Sequence, residues 1–325
     1  MEGILMSRRK GTTSMEVVEK LIKTKKEIPS KSFFEATGEF LKHCQIKGLS
    51  PDTIHFYGKE LKGFSRALSD LDVSLNDVRT LETKHVENWI MYMQEKNRAI
   101  SSINARMRAG RTFMNYCLKK GYIEKNPFEG VLQLKKRHVI GATFTKKQLD
   151  RLLSAPDITQ FVGLRDLAIM LTFAHVGLRL KELCSLKVQD LAFEGKGEVI
   201  IQQAKNRYAR RVPMTKRLKA VLKAYVQERG IIDTDALFIS VENAPISPRT
   251  VQERLKHYGM ISKVEKDVPV SPHAFRRTFC RLKVEAGVNL FVLQRLTGHS
   301  DLEMLQRYVQ IYGKDLEQAI EKGFD

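Results

Sequence analysis

The stretch SPHAFRRTFCRLKVEAGVNLFVLQRLTGHSDLEMLQRY, residues 271–308, places side chains that can bind an anion on predicted helices. Pro272 favours helix initiation, so His273 and Arg276, which follow it three residues apart, share one helical face. An imidazole and a guanidinium on that face can converge on one small anion. Taken alone, the same residues are equally typical of a solvated basic turn.

The end of this stretch combines a glycine, a histidine and a tyrosine. Thr297-Gly298-His299 is followed by a short helical pattern from Asp301 to Tyr308. A phenol, with a pKa of about 10, is a poor nucleophile at neutral pH unless cations stabilise its oxyanion. Nearby arginines would supply such cations. By itself, Tyr308 would more often have a packing or surface role.

A third cluster lies further towards the N-terminus, after a strongly apolar helical pattern from Leu164 to Phe173. It reads GLRLKEL, residues 177–183, and its glycine ends or bends the preceding helix. Arg179 follows that glycine, and an arginine fork can bind two non-bridging oxygens of one phosphate. Without the other clusters, a surface arginine would be the usual interpretation.

Between residues 198 and 214 the sequence predicts a β-hairpin. Val199-Ile200-Ile201 and Arg211-Val212-Pro213 are strand-like and flank a basic polar turn that contains Lys205. The surrounding segments have helical patterns, so the second half of the chain is predicted to be mostly α with a small β element.

The order of these residues resembles that of the tyrosine recombinase (integrase) family. Its pattern is an arginine after a glycine turn, a hairpin lysine, His-x-x-Arg, a Gly-His and a tyrosine nine residues later. The matching positions here are Arg179, Lys205, His273, Arg276, His299 and Tyr308.

This resemblance implies phosphoryl transfer without a metal ion or any other cofactor. Tyr308 would attack a scissile phosphodiester, form a 3′-phosphotyrosyl link and release a 5′-hydroxyl. Arg179 and Arg276 would neutralise the non-bridging oxygens, and His299 would donate a hydrogen bond to them.

The remaining two roles concern proton transfer. Lys205 would protonate the leaving 5′-oxygen, with Arg207 as the alternative acid, and His273 would be the acid/base partner of Tyr308. The chain departs from the family where Ala204 and Asn206 replace the glycines beside the lysine. It also departs where Thr297 replaces the leucine before Gly-His, and where Arg277 replaces the histidine that often follows the arginine.

The first half of the chain is similar to the family's helical core-binding domain. Its apolar residues recur at helical spacing, and Ser50-Pro51-Asp52 is typical of a helix start. The fold class predicted is mainly α with a small β-hairpin, in a helical core-binding domain followed by an α+β catalytic domain. The predicted boundaries are a flexible segment 1–31, a core-binding domain 32–131, a linker 132–143 and a catalytic domain 144–325 with a C-terminal tail 309–325.

The composition favours a polyanionic partner. Lys and Arg number 56 against 37 Asp and Glu, which gives a net charge of +19. The excess is spread along the chain, which favours nucleic acid over a membrane surface. No secretory signal and no apolar stretch long enough to cross a bilayer is recognised, and the four scattered cysteines lack the spacing of a zinc site. A cytoplasmic, nucleoid-associated protein is predicted.

The predicted partner is double-stranded DNA with inverted half-sites, bound by a homotetramer that joins two duplexes, with accessory DNA-bending proteins as further partners. Two alternatives share the fold: a type IB topoisomerase-like nickase and a DNA-binding regulator without catalysis. A basic chromatin protein would explain the charge but not the order of the motifs. The predicted DNA-binding residues are Arg106, Arg108, Arg111, Arg207, Arg210 and Arg277.

Overall fold

The computed structural model describes residue 15, residues 30–135, 141–202 and 209–298, and residue 306. The chain divides into two compact units, residues 1–138 and residues 139–325. The division falls inside the segment predicted as the interdomain linker. The boundaries predicted from the sequence remain predictions.

The first unit is helical, and its first two helices begin after serine caps. Ser32 and Glu35 form a reciprocal capping box, and Ser50 accepts a hydrogen bond from the Thr53 N–H in front of a helix whose first residue is Pro51. The helices of this unit are α1 (Phe33–Ile46), α2 (Pro51–Ser69), α3 (Thr83–Glu95) and α4 (Ile100–Lys119).

An aromatic cluster forms the core of the first unit. Phe64 packs edge-on against Trp89 at 5.1 Å between ring centroids, and Phe33 packs in the same manner against Phe113 at 5.0 Å. Phe34, the next residue of the same helix, is exposed. The reason is geometric: adjacent residues of a helix point about 100° apart, so only one of the two can face the core.

The second unit is also mostly helical, with one long buried helix at its centre. This helix, α6, is buried on nearly every side, which explains why the apolar run from Leu164 to Phe173 lacks an amphipathic pattern. The helices are α5 (Lys146–Leu153), α6 (Phe161–Val176), α7 (Leu180–Cys184), α8 (Lys216–Arg229), α9 (Pro248–Ile261), α10 (Pro272–Glu285) and α11 (Leu290–Thr297).

A three-stranded antiparallel sheet contains the predicted hairpin. Strand order is β1 (Leu191–Ala192), β2 (Glu198–Ile201) and β3 (Arg210–Pro213), with Val199 opposite Val212 and Ile201 opposite Arg210. The hairpin strands and the predicted fold class are confirmed. Strand β1 was not predicted, because two residues are too few to show an alternating pattern.

In the described part of the chain, no helix is both long and apolar enough to cross a membrane. The four cysteines form no disulfide; Cys44, Cys117 and Cys280 are buried and Cys184 is partly buried. Burial raises the pKa of Cys117 to about 12 and that of Cys280 to about 11. Both therefore stay as thiols near neutral pH, as expected of core residues.

Candidate active site

Helix α6 ends at a glycine that is required by both its backbone and its surroundings. Gly177 has φ +69°, and its N–H donates to the Phe173 carbonyl at 3.0 Å. A Cβ added at this position would lie 2.5 Å from Cδ1 of Phe279 on α10. The glycine therefore lets the chain turn tightly against α10 and brings Arg179 to the start of α7.

We expect Gly177→Ala to destabilise the protein more than Gly287→Ala does. The left-handed backbone costs about 1–2 kcal/mol for alanine at either position. At Gly177 the clash with Phe279 adds about 1–3 kcal/mol of overpacking, whereas Gly287, at φ +72°, has open space around it. Urea unfolding of both variants measures the difference, and equal losses of stability would show that the contact with Phe279 relaxes without cost.

Arg179 is tied to the neighbouring turn by a carboxylate. Its backbone N–H donates to Oε2 of Glu182 at 2.8 Å, and its Nη1 donates to Oε1 of the same residue at 3.1 Å. Its Nη2 donates to the Gly298 carbonyl at 3.1 Å. The side chain keeps 42% of its surface exposed, so its guanidinium is both oriented by the protein and accessible to a phosphate.

Arg276 is held inside the fold, in contrast to Arg179. Its Nη1 donates to the Gly177 carbonyl at 2.6 Å and its Nη2 donates to the Thr297 carbonyl at 2.8 Å. Burial, together with the charge of Arg179, lowers the pKa of Arg276 to about 10. The guanidinium therefore remains charged at neutral pH in spite of its burial.

His273 lies in the first turn of α10, one turn before Arg276, and its side chain is exposed. Its pKa is lowered, first because the surrounding protein partly desolvates the ring and then because Arg277, Arg276 and Arg179 repel its charged form. The imidazole is therefore neutral at pH 7 and able to accept a proton. The predicted shared face of His273 and Arg276 agrees with the helix observed.

The C-terminal end of α11 is where these arginines meet. Three successive carbonyls, those of Leu296, Thr297 and Gly298, accept hydrogen bonds from Arg210, Arg276 and Arg179 respectively. The last carbonyls of a helix lack partners within the helix and carry partial negative charge, so cations stabilise them. Three arginines from three separate elements are thereby gathered at the residues that directly precede His299.

Glu182 was quoted in the sequence motif but not predicted as a functional residue. It accepts hydrogen bonds from Arg179 and from both terminal nitrogens of Arg210. Burial would raise its pKa, but the hydrogen bonds from Arg210 and Arg179 outweigh burial and hold the pKa below its ordinary value. Arg179, Arg210, Arg276 and Glu182 form a group in which three guanidinium charges exceed one carboxylate charge. The group is therefore net positive. The Arg-x-x-Glu spacing at a helix start was the available signal.

The arginines predicted to bind DNA differ in their surroundings. On α4, Arg108 is exposed, whereas Arg106 bonds to Glu60 at 3.2 Å and Arg111 donates to the Val131 carbonyl. On α10, Nε of Arg277 donates to the Ala142 carbonyl at 3.2 Å. Arg106, Arg111 and Arg277 thus have contacts inside their own units that the sequence did not predict.

Four predicted site residues, Lys205, Arg207, His299 and Tyr308, lie outside the described residues. Their nearest described neighbours in sequence are Gln202 and Ala209 for Lys205 and Arg207, Gly298 for His299, and Gln306 for Tyr308. Of the predicted catalytic residues that are described, Arg179 and Arg276 are brought to adjacent carbonyls, and His273 lies on the same helix as Arg276. In the described ranges, no cluster of three or more His, Cys, Asp or Glu side chains is arranged to hold a metal ion.

Comparison with known proteins assigns both units to one family. Residues 142–314, more than half of the 325 residues, match the phage integrase family, and residues 38–121 match the N-terminal SAM-like domain of phage integrases. The chain belongs to the phage integrase family. Membership confirms the predicted resemblance and the predicted class of enzyme, a tyrosine site-specific recombinase.

Curated members of this integrase family match the chain over nearly all of its length. A tyrosine recombinase of Pseudothermotoga lettingae is 30% identical over 286 residues, which cover 87% of this chain and 95% of that protein. Tyrosine recombinase XerC of Oceanobacillus iheyensis is 28% identical and covers 87% of this chain and 94% of its own. Both domains of the integrase are therefore present in the relatives as well.

Solved integrase structures share the fold. The Tn1549 transposon integrase in complex with circular intermediate DNA has a TM-score of 0.68 and 21% identity, covering 91% of this chain and all of that one. A lambda integrase tetramer bound to a Holliday junction has a TM-score of 0.68 and 16% identity, covering 93% of this chain and 86% of its own. At these identities the likeness concerns the fold alone.

Proposed function

We propose that this integrase cuts and rejoins DNA strands through a 3′-phosphotyrosyl intermediate on Tyr308. The observation that supports this most directly is the meeting of Arg179 and Arg276 at adjacent carbonyls at the end of α11. A net positive group at that position is suited to a dianionic transition state. His299 follows the same helix end by one residue, and Tyr308 follows His299 by nine.

Arg179 and Arg276 have complementary roles in this proposal. The accessible guanidinium of Arg179 binds a non-bridging oxygen of the scissile phosphate, while Arg276 supplies charge from a position that its two backbone partners fix. Because both groups are oriented before DNA binds, they stabilise the developing charge without reorganisation. His299 donates a further hydrogen bond to the phosphate.

Proton transfer is assigned to His273 and to the hairpin. The lowered pKa of His273 keeps its imidazole neutral, so it can take the proton of the Tyr308 hydroxyl as the tyrosine attacks. Lys205 gives a proton to the 5′-oxygen that leaves, with Arg207 as the alternative donor. The bond from the Tyr308 oxygen to phosphorus forms as the bond from phosphorus to the 5′-oxygen breaks, so attack by that 5′-hydroxyl reverses the reaction. Attack by the 5′-hydroxyl of a second duplex exchanges strands.

The proposed assembly is a homotetramer that holds two duplexes at inverted half-sites. The lambda integrase tetramer bound to a Holliday junction supports it, since that protein shares this fold. Exposed Arg108 on α4 is proposed as a phosphate contact, and accessory DNA-bending proteins as additional partners. The cytoplasm is the proposed site of action, with association to the nucleoid when the protein binds its chromosomal or mobile-element DNA.

Trapping the covalent intermediate tests the proposal. Footprinting on the genomic DNA next to the gene would locate the half-sites, and a duplex nicked near the scissile phosphate would let the short 5′-hydroxyl fragment diffuse away. We expect an SDS-resistant protein–DNA adduct from the unmodified enzyme. A regulator without catalysis would bind the site and form no adduct, and a nickase would form the adduct but join no second duplex.

Lys205→Ala is expected to cleave ordinary DNA slowly and DNA with a 5′-phosphorothiolate at the scissile position at nearly the unmutated rate. A thiolate leaves without being protonated, so the acid is no longer needed. Arg179→Ala should stay slow on both substrates, because its charge acts on the non-bridging oxygens. The measurement is the rate of adduct formation by each variant, relative to the unmutated enzyme, on ordinary and on sulfur-substituted DNA. If sulfur rescues Arg207→Ala instead, Arg207 is the acid, and if it rescues neither, His273 becomes the next candidate.

A further inference from the structure

Arg210, predicted from the sequence to bind DNA, lies beneath the site rather than on its surface. It is the first residue of β3, directly across the strand pair from Ile201, and its side chain is only 9% exposed. Its three guanidinium nitrogens each donate a hydrogen bond within the fold. Nη1 and Nη2 bind Oε1 and Oε2 of Glu182 at 3.0 and 2.8 Å, and Nε binds the Leu296 carbonyl at 2.9 Å.

The paired contact with Glu182 fixes the plane of that carboxylate. A fork in which two parallel N–H groups meet two oxygens is more directional than a single hydrogen bond. The same two oxygens accept from the backbone and side chain of Arg179. Since Arg210 sets the orientation of Glu182, and Glu182 sets that of Arg179, a change at Arg210 is transmitted to Arg179.

The third contact of Arg210 connects the hairpin to the other side of the site. The Leu296 carbonyl comes directly before the Thr297 and Gly298 carbonyls that bind Arg276 and Arg179. Arg210 also lies close in sequence to the predicted acid, Lys205. Ala209 is the one described residue between Arg210 and residues 203–208. Arg210 therefore joins β3, the start of α7 and the end of α11, three elements that are far apart in sequence.

We propose that Arg210 is a positioning residue for the strand-cleavage reaction, acting through Glu182 on Arg179 and through Leu296 on the end of α11, and that it is not a DNA contact. This inference rests on the proposed function, because the rate that it controls is that of phosphotyrosyl formation. It assigns a role to Arg210 that the order of the catalytic motifs does not require.

The test compares Arg210→Met with Arg211→Met on the nicked substrate. Arg211 is the next residue of the same strand, with 69% of its side chain exposed and a distant ion pair of 3.5 Å to Glu198, so it is the matched control. At saturating enzyme, Arg210→Met should form adduct about 10- to 100-fold more slowly, by analogy with the loss found when a residue that orients a metal ligand is removed. Arg211→Met should cleave at the unmutated rate.

DNA affinity separates positioning from contact. Each phosphate contact that is lost reduces the slope of log affinity against log salt by about 1. For Arg210→Met we expect an unchanged slope, so that the loss appears in the cleavage rate and not in binding. An unchanged cleavage rate, or a slope reduced by about 1 with cleavage restored at saturating enzyme, would overturn the proposal.

A double-mutant cycle with Glu182→Gln tests the route of the effect. If Arg210 acts through Glu182, the cleavage losses of the two single variants should combine to less than their product, because residues that share one network are not additive. Losses that multiply in full would contradict the proposed connection. Thermal unfolding of each variant, with a midpoint well above the assay temperature, shows that the proteins compared are folded.

Arg210→Lys keeps the test valid if Arg210→Met does not fold. A lysine retains the charge but cannot bind both Glu182 oxygens and the Leu296 carbonyl in one plane. It should cleave more slowly than the Arg211→Met control with an unchanged salt slope, and cleavage at the control rate would overturn the proposal. Absence of adduct from the unmodified enzyme would instead refute the proposed function, so the two failures are distinct.

Discussion

Tyr308→Phe should bind the DNA site as the unmodified enzyme does and form no covalent adduct. The substitution removes the hydroxyl oxygen that becomes bonded to phosphorus and keeps the aromatic ring. Removing a covalent nucleophile costs on the order of 10⁶ in rate, which places any residual reaction below detection in a gel assay. The measurement is SDS-resistant adduct on the nicked substrate, with binding followed by mobility shift.

Tyr312 provides the matched control for this experiment, because it is a second tyrosine four residues further along the chain. Tyr312→Phe should form adduct at the unmodified rate. An adduct from the Tyr308 variant that is lost in the Tyr312 variant would transfer the nucleophile to Tyr312. Peptide mapping of the trapped adduct gives the same answer independently.

Arg276→Ala is expected to lower cleavage by at least roughly 100-fold, as when one preorganised transition-state donor is removed. It should also destabilise the fold by about 1–3 kcal/mol for each carbonyl that stays unpaired, since Gly177 and Thr297 lose the donor that the structure gives them. Arg179→Ala should match it in cleavage and destabilise less, because Arg179 is more exposed. Single-turnover cleavage and urea unfolding measure the two effects separately.

Arg249→Ala controls for the loss of a positive charge. Arg249 is a largely exposed residue of α9 whose side chain pairs with Glu253 one turn away, and surface pairs of this kind contribute little to stability. We expect near-normal cleavage and stability from it. Near-normal cleavage by Arg276→Ala at saturating enzyme would remove that arginine from the catalytic group.

Local signals in the sequence identified the helix that begins after Ser50, the buried helix around the apolar run from Leu164 to Phe173, the helix that begins at Pro272, and the hairpin. Ser50 caps the helix whose start Ser50-Pro51-Asp52 indicated, because an N-cap acts on backbone groups two or three residues away. Strand β1 was not foreseen. Its two residues form a strand because they pair with β2, and the segment itself does not contain that information.

By itself, the sequence determined the family, the fold class and the chemical types in the site, since the order and spacing of Arg, Lys, His and Tyr are properties of the chain. Only the tertiary structure decided what each arginine binds. Arg106 and Arg210 were both predicted to face DNA, yet Arg106 pairs with Glu60 and Arg210 with Glu182. A guanidinium on a flexible side chain has the same local signature whether it faces water, phosphate or a carboxylate. Its partner is set by residues brought close from far along the chain, as the contact between Arg210 and Leu296 illustrates.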